Sequence, residues 1–158
     1  MRKNYFLFSI FTLFSFLTYA QGPWNFNGSN DIWVSTGTAA NLSSGASFST
    51  LDVNGAGNPM LRTSSANINA SAVTHAVITL KNNTANKHMR VFYQTTGTNR
   101  YVNVAITAND ADFVSYYVDM TGNSDWTGTV NDLTFQFREN SSYNSALDGT
   151  IDIDNIEM

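Results

Sequence analysis

The sequence contains no cysteine, so no disulfide can stabilise the folded chain. A domain without disulfides depends on its buried core for stability. Such reliance on the core is more typical of an exported bacterial domain than of a small domain held together by disulfides. The lack of cysteine also excludes thiol nucleophiles and cysteine metal ligands. Histidine occurs only twice, and neither His75 nor His88 has a metal-ligand neighbour at a useful spacing. The composition therefore offers little material for a catalytic or zinc site.

Basic residues are scarce, since the chain carries eight Lys and Arg against twelve Asp and Glu. Two of the eight, Arg2 and Lys3, stand at the extreme start, which leaves six basic and twelve acidic groups after them. The resulting net charge of −6 disfavours nucleic acid and anionic membrane surfaces as partners, because both bind basic proteins.

Only one stretch of the chain is long and apolar, and it lies at the beginning. Residues 5–17 are almost all apolar, two basic residues precede them, and small residues at positions 18 and 20 come just before Gln21. This pattern predicts a secretory signal peptide over residues 1–20. The run is shorter than the ~20 residues that a membrane-spanning helix needs. We therefore expect one domain over residues 21–158 and a secreted protein, located outside the cell, at its surface or in the periplasm.

Helical periodicity is missing after the signal peptide, whereas strand patterns are frequent. Strand-forming segments cover residues 73–81, 101–107, 113–120 and 133–138, and turn-forming Asn, Gly, Ser and Asp residues separate them. Several short strands with turns between them are typical of an all-β sandwich. The sequence therefore predicts an all-β fold of two antiparallel sheets.

A polar turn at residues 82–86 separates the strand at 73–81 from another at 89–95. A short turn between two strands is typical of a β-hairpin. We therefore expect these two strands to pair with each other in one sheet.

The last ten residues alternate apolar and acidic side chains. Ile151 and Ile153 share one face of the expected strand, but Ile156 has the opposite parity. A β-bulge at Asp154 and Asn155 would restore a buried Ile156, because a bulge inserts one extra residue into a strand. We expect this strand to be paired inside a sheet and to close the fold.

The order of several segments resembles a known group of domains. The segments are 57–61 (GNPML), 77–82 (VITLKN), 90–95 (RVFYQT), 113–119 (FVSYYVD), 126–128 (WTG) and 149–156 (GTIDIDNI). They resemble the galactose-binding-like jelly-roll domains attached to secreted polysaccharide-degrading enzymes of marine bacteria, many of which are carbohydrate-binding modules. The resemblance covers residues 24–158 and implies a jelly roll with adjacent terminal strands.

The resemblance also implies a structural calcium ion, although no cofactor is required for binding. In the related modules an Asp of the final strand holds this ion beside the first strand, and Asp154 matches that position. Asn25 or Asn27 is the expected oxygen ligand from the first strand, and Asp52 is a further one. Calcium takes six to eight oxygen ligands. The alternative role for Asp154 is a hydrogen bond to neighbouring turn backbone.

A sugar site needs an exposed aromatic ring against the pyranose and polar side chains for its hydroxyl groups. If the more apolar face of each strand is core, the opposite faces assemble such groups on one sheet, with Phe92 and Tyr117 as stacking rings. An ordinary solvated sheet face is the alternative. A site at the loop end, with Arg62 and Tyr101, is the second location. Lys81 belongs to this expected assembly, and the predicted carbohydrate-binding set within it is Arg90, Phe92, Gln94, Tyr117, Gln136 and Arg138.

The three tryptophans, Trp24, Trp33 and Trp126, are interpreted as core residues rather than sugar contacts. The acids lie mostly at strand ends and turns, where they form turns, and no acid–base pair of a glycosidase is evident. We therefore expect no enzyme but a non-catalytic module that binds an extracellular polysaccharide, with other modules of a polysaccharide-degrading system as partners. The alternative is a structural or adhesive β-sandwich domain without a sugar site.

Overall fold

The computed structural model describes residues 22–37, 41–55, 57–95, 98–142 and 145–158, and the predicted signal peptide lies outside them. These ranges contain no helix that is long and apolar enough to cross a membrane. Their strands, in chain order, are β1 (Trp24–Asn25), β2 (Val34–Thr36), β3 (Leu42–Ser44), β4 (Ser49–Val53), β5 (Met60–Thr63), β6 (Ile68–Asn69), β7 (His75–Asn82), β8 (His88–Thr95), β9 (Thr98–Ala105), β10 (Val114–Asp119), β11 (Thr129–Val130), β12 (Asp132–Arg138) and β13 (Gly149–Glu157).

The strands form two large sheets and one short pair, and every pairing is antiparallel. The six-stranded sheet has the order β10-β7-β13-β4-β3, with β1 added beside β13. The five-stranded sheet has the order β2-β5-β12-β8-β9, and β6 pairs with β11 separately. The predicted all-β, two-sheet antiparallel sandwich is therefore confirmed.

The core consists of the inward side chains of both large sheets. On β7 every second residue is buried, and on β12 the apolar set Leu133, Phe135 and Phe137 is fully buried. All three tryptophans are buried, as predicted, and Trp24 and Trp33 meet edge to face at 5.4 Å. Burial of these large side chains is the main stabilising contribution in a chain without disulfides.

Strand β13 lies inside the six-stranded sheet, between β4 and β7. Its register against β7 shifts between Ile153 and Asn155, and Ile151, Ile153 and Ile156 are all buried. The predicted bulge is thus confirmed. The first strand pairs with the last, and the backbone N–H of Phe26 donates to the carbonyl oxygen of Asp154 at 3.0 Å.

The predicted hairpin between the strands at 73–81 and 89–95 is wrong. Strand β7 pairs with β10 and β13, whereas β8 pairs with β9 and β12 in the other sheet. The connecting turn is partly buried: the Asn82 side chain donates to the carbonyl oxygens of Asn86 and Thr107, at 2.8 and 2.6 Å, and accepts bonds from Thr84. A polar segment that satisfies its hydrogen bonds inside the molecule can cross from one sheet to the other.

Candidate functional site

The strand register aligns polar and aromatic side chains in rows on the outer face of the five-stranded sheet. Thr134 on the central strand β12 lies opposite Arg62 on one side and Phe92 on the other, and Phe92 lies opposite Tyr101. The next row contains Met60, Gln136, Arg90 and Asn103 in the same strand order. We call this surface the five-strand face.

Side chains in the middle of the five-strand face are buried, whereas those at its edge are exposed. On β12, Thr134, Gln136 and Arg138 are only 5%, 3% and 1% exposed, whereas Tyr101 on the edge strand β9 is 49% exposed. A cavity of about 290 Å³ lies on this face, just below the ~300 Å³ at which the range of small-ligand sites begins. It is lined by Met60, Arg62, Phe92, Tyr93, Gln94, Asp132 and Thr134.

Tyr101 is held by two neighbours beside this cavity. The guanidinium carbon of Arg90 lies 4.0 Å from the centre of the Tyr101 ring, and the Phe92 ring meets it edge to face at 5.7 Å. The Nε of Arg90 donates to Oδ1 of Asn103 at 2.9 Å, which fixes the arginine. Cation–π and aromatic contacts of this kind orient a ring that would otherwise rotate freely in solvent. Because Tyr101 stays half exposed, it can act as a rigid binding platform.

The opposite wall of the cavity is a charge pair. Arg62 donates through Nε to Oδ1 of Asp132 at 3.1 Å and through Nη2 to the second carboxylate oxygen. This bond raises the pKa of Arg62, first through the hydrogen bond to Asp132 and then through its negative charge. The hydroxyl of Thr134 donates to the same carboxylate at 3.4 Å. The pair presents both donors and acceptors to the cavity.

Five of the six predicted carbohydrate-binding residues belong to β8 and β12 of the five-stranded sheet. Arg90 and Phe92 are partly exposed and Gln94 is exposed, as expected for contacts to a ligand. Gln136 and Arg138 are instead buried beneath the face. The Nε2 of Gln136 donates to Oδ1 of Asn58 at 2.6 Å, and Nη1 of Arg138 donates to the carbonyl oxygen of Ser141 at 3.0 Å. These two form the floor, and the prediction that they reach the surface is wrong.

Tyr117 is the residue that the structure separates from the others. It lies on β10, opposite Val77, and both strands belong to the six-stranded sheet, as does Lys81 on β7. Tyr117 is 70% exposed, and the centre of the His75 ring lies 6.0 Å from the centre of its ring. The expected assembly on one sheet is therefore wrong for Tyr117 and Lys81, because the segment after β7 crosses between sheets instead of forming a hairpin.

Arg62 and Tyr101, which the sequence placed in an alternative loop-end site, lie on the same face as Arg90 and Phe92. The alternation of residues 101–107 indicates a strand, but it does not show which strand pairs with it. The register of β8 against β9 sets Tyr101 directly opposite Phe92. The two strands follow each other in the chain, so the turn-forming sequence between them was the signal that could have predicted this pairing.

The predicted calcium site draws on strands that do lie together, because β1 pairs with β13. Asp154 supplies one carboxylate there, and Asn27 follows Phe26, which bonds to the Asp154 backbone. In the ranges that the structure describes, no three His, Asp or Glu side chains lie close enough to hold a metal ion. Calcium takes six to eight oxygens, so the carboxylates do not form such a site by themselves. The calcium ion stays a prediction.

No protein-family model matches this sequence, and no curated protein matches it significantly. Solved structures do resemble it. A variant of a family 29 carbohydrate-binding module aligns with a TM-score of 0.54 and 17% identity, over 84% of each chain. A second family 29 variant, complexed with mannohexaose, has a TM-score of 0.54 and 14% identity, over 84% of this chain and 86% of that one.

A family 11 carbohydrate-binding module from Clostridium thermocellum, in complex with a β-1,3-1,4-mixed-linked tetrasaccharide, aligns with a TM-score of 0.58 and 11% identity. The alignment covers 85% of this chain and 92% of that one. Identities this low carry information on the fold. The chain has the jelly-roll β-sandwich fold of these carbohydrate-binding modules.

Proposed function

We propose that this protein binds an extracellular polysaccharide without cleaving it, through the five-strand face. The observation that carries the proposal is the half-exposed Tyr101 ring, oriented by Arg90 and Phe92 beside a cavity with polar walls. The exposed ring surface covers the apolar face of a pyranose. Arg62, Gln94 and Asp132 supply hydrogen-bond donors and acceptors for its hydroxyl groups.

The chemistry of the cavity favours binding over hydrolysis. Glycoside hydrolysis uses a pair of carboxyl groups on either side of the scissile bond. Among the residues that line the cavity, Asp132 is the single carboxylate, and Arg62 already binds it. One carboxylate cannot supply both groups of that pair.

The structural neighbours support the same ligand class. Two of the similar modules are complexed with oligosaccharides, mannohexaose in one and a mixed-linked β-glucan tetrasaccharide in the other. A fold can serve several functions, so the neighbours add to the site geometry and do not replace it.

We also propose that the protein is secreted and acts together with other modules. The apolar stretch at residues 5–17 supports export, with the mature chain starting at Gln21. A single module with a small cavity binds weakly, and linkage to other modules of a polysaccharide-degrading system would raise the overall affinity. N-terminal sequencing of protein recovered from the culture medium tests the export; a start at Met1 would contradict it.

Affinity electrophoresis through gels that contain a panel of neutral and acidic polysaccharides tests the sugar site. We expect the wild-type domain to be retarded by at least one polymer, and Tyr101→Ala to lose about tenfold in affinity, as loss of a central aromatic contact does. Tyr117→Ala is the matched control, because it removes the same side chain from the other sheet, and it should bind normally.

Absence of retardation by every polymer would overturn the proposal and leave a structural or adhesive domain. Loss of binding in Tyr117→Ala with full binding in Tyr101→Ala would move the site to the six-stranded sheet. The melting temperature of each variant shows whether it is folded.

A further inference from the structure

The basic residues are concentrated on the five-strand face. After Lys3 the chain has six basic residues, all within the described ranges, and Arg62, Arg90 and Arg138 lie on this face. The chain has twelve acidic residues, yet Asp132 is the one acid among the outward side chains of these five strands in the described part of the chain. Two arginines and one acid on this face, with a third arginine buried beneath it, therefore belong to a protein with a negative net charge.

Arg62 and Arg90 differ in how their charges are compensated. Arg62 binds the Asp132 carboxylate through two nitrogens. Arg90 uses Nε for the neutral side chain of Asn103, and its two terminal nitrogens have no acceptor in the part of the chain that the structure describes. Its guanidinium carbon lies 4.0 Å from the centre of the Tyr101 ring, and such a cation–π contact does not use the terminal N–H groups.

The buried Arg138 adds to the positive potential near Arg90. The pKa of Arg138 is lowered, first by burial and then by the positive charge of Arg90. The positive charge of Arg90 thus disfavours that of Arg138, and an anion bound at Arg90 would relieve this repulsion. The effect is strongest in a partly desolvated site, where charges are screened less than in water.

We propose that the ligand is an anionic glycan whose carboxylate or sulfate group binds the terminal nitrogens of Arg90, with the adjoining sugar ring on Tyr101. This inference rests on the proposed function and names the class of polysaccharide. The planar guanidinium matches two oxygens of a carboxylate or a sulfate and forms paired hydrogen bonds with them. Asp132 lies two rows away from Arg90, opposite Gln94, and it is paired with Arg62.

Because the net charge is negative, we expect an acidic polymer to bind at one face of the protein and not over its whole surface. The net charge of −6 after residue 3 repels an acidic polymer from most of the surface. An acidic glycan that binds in spite of this repulsion must depend on the few arginines of one face. Its affinity should fall as salt screens the Arg90 contact, whereas binding of a neutral glucan should change little.

Isothermal titration calorimetry of the domain with three probes tests the inference: polygalacturonate for carboxylate, carrageenan for sulfate, and mixed-linked β-1,3-1,4-glucan as the neutral polymer. We expect one acidic polymer to bind more tightly than the neutral one, and which one binds identifies the anion. Arg90→Gln should weaken that binding at least about tenfold. Lys81→Gln, which removes one positive charge from the other sheet, should have no such effect.

A second variant separates charge from geometry and guards against misfolding. Arg90→Lys keeps the charge but lacks the planar fork, so its affinity for the acidic polymer should lie between those of the wild type and Arg90→Gln. An equal loss in Lys81→Gln would mean general electrostatic attraction and would overturn the inference. Equally tight binding of a single-stranded DNA oligomer would also overturn it.

The titrations distinguish an error in the anionic ligand from an error in the sugar site itself. Binding of the neutral glucan alone, lost in Tyr101→Ala, would overturn the anionic ligand and leave the sugar site in place. Binding of none of the three polymers and none of the wider panel would overturn both.

Discussion

Tyr101 and Tyr117 are residues of the same type whose neighbours in the structure differ. Both are exposed tyrosines on edge strands of the sandwich. Tyr101 has Arg90 at 4.0 Å and Phe92 at 5.7 Å, whereas Tyr117 has His75 at 6.0 Å. The sequence predicts that Tyr117 is exposed, but it does not predict the neighbours. Those neighbours decide which of the two rings belongs to a site.

The role of the Asp132 carboxylate in ligand binding can be tested by a single substitution. Asp132→Asn removes the one carboxylate from the cavity lining in the described part of the chain and leaves Arg62 without its anionic partner. We expect the affinity for an acidic polysaccharide to rise several-fold, because a second guanidinium becomes free to bind it. Calorimetric titration of wild type and variant with the same acidic polymer measures the change.

The same substitution should hardly affect folding. The Arg62–Asp132 pair is partly exposed, and exposed ion pairs contribute only about 0–1 kcal/mol to stability. An unchanged or lower affinity of a folded Asp132→Asn variant would show that Arg62 does not bind the anion. Arg90 could still bind it alone.

Strand positions were predictable at the scale of elements, and strand partners were not. Alternation located the strands that the structure shows as β7, β9, β10, β12 and β13 within a few residues. The parity break at Ile156 even predicted the bulge. Pairing of β7 with β8 was the error, because a turn sequence does not reveal whether its side chains are exposed or buried. Asn82, Thr84 and Asn86 are buried and satisfy one another's polar groups.

The crossover after β7 can be tested with two adjacent asparagines. Asn82→Ala removes a buried side chain that makes four hydrogen bonds and leaves their partners unsatisfied. We expect the free energy of unfolding to fall by about 2–4 kcal/mol, because each buried partner left unsatisfied costs roughly 1–3 kcal/mol. Urea denaturation measures it.

Asn83→Ala is the matched control, since this neighbour is exposed and its side chain bonds to Thr150 and Asp152 at the surface. It should cost less than about 1 kcal/mol. Equal losses in the two variants would contradict a buried crossover at this point.

At the scale of the whole molecule, the sandwich separates two chemically different surfaces. The six-stranded sheet carries the acidic side chains of β13 outward, with Tyr117 and His75 at its edge. The five-strand face carries the arginines and the cavity. Sequence patterns predicted the two-sheet fold because alternation is local. They could not predict which polar rows share a surface, because that depends on contacts between distant strands.

Mapping the bound polysaccharide onto the two sheets is the most direct test of a sugar site on the five-strand face. Backbone amide shifts in NMR spectra, recorded while the polysaccharide that binds best is titrated in, report the contact surface residue by residue. We predict the largest shifts at Arg90, Phe92, Tyr101 and Thr134 on the five-strand face, with β10 unchanged around Tyr117. Shifts centred on Tyr117 and His75, with the five-strand face unaffected, would contradict the account.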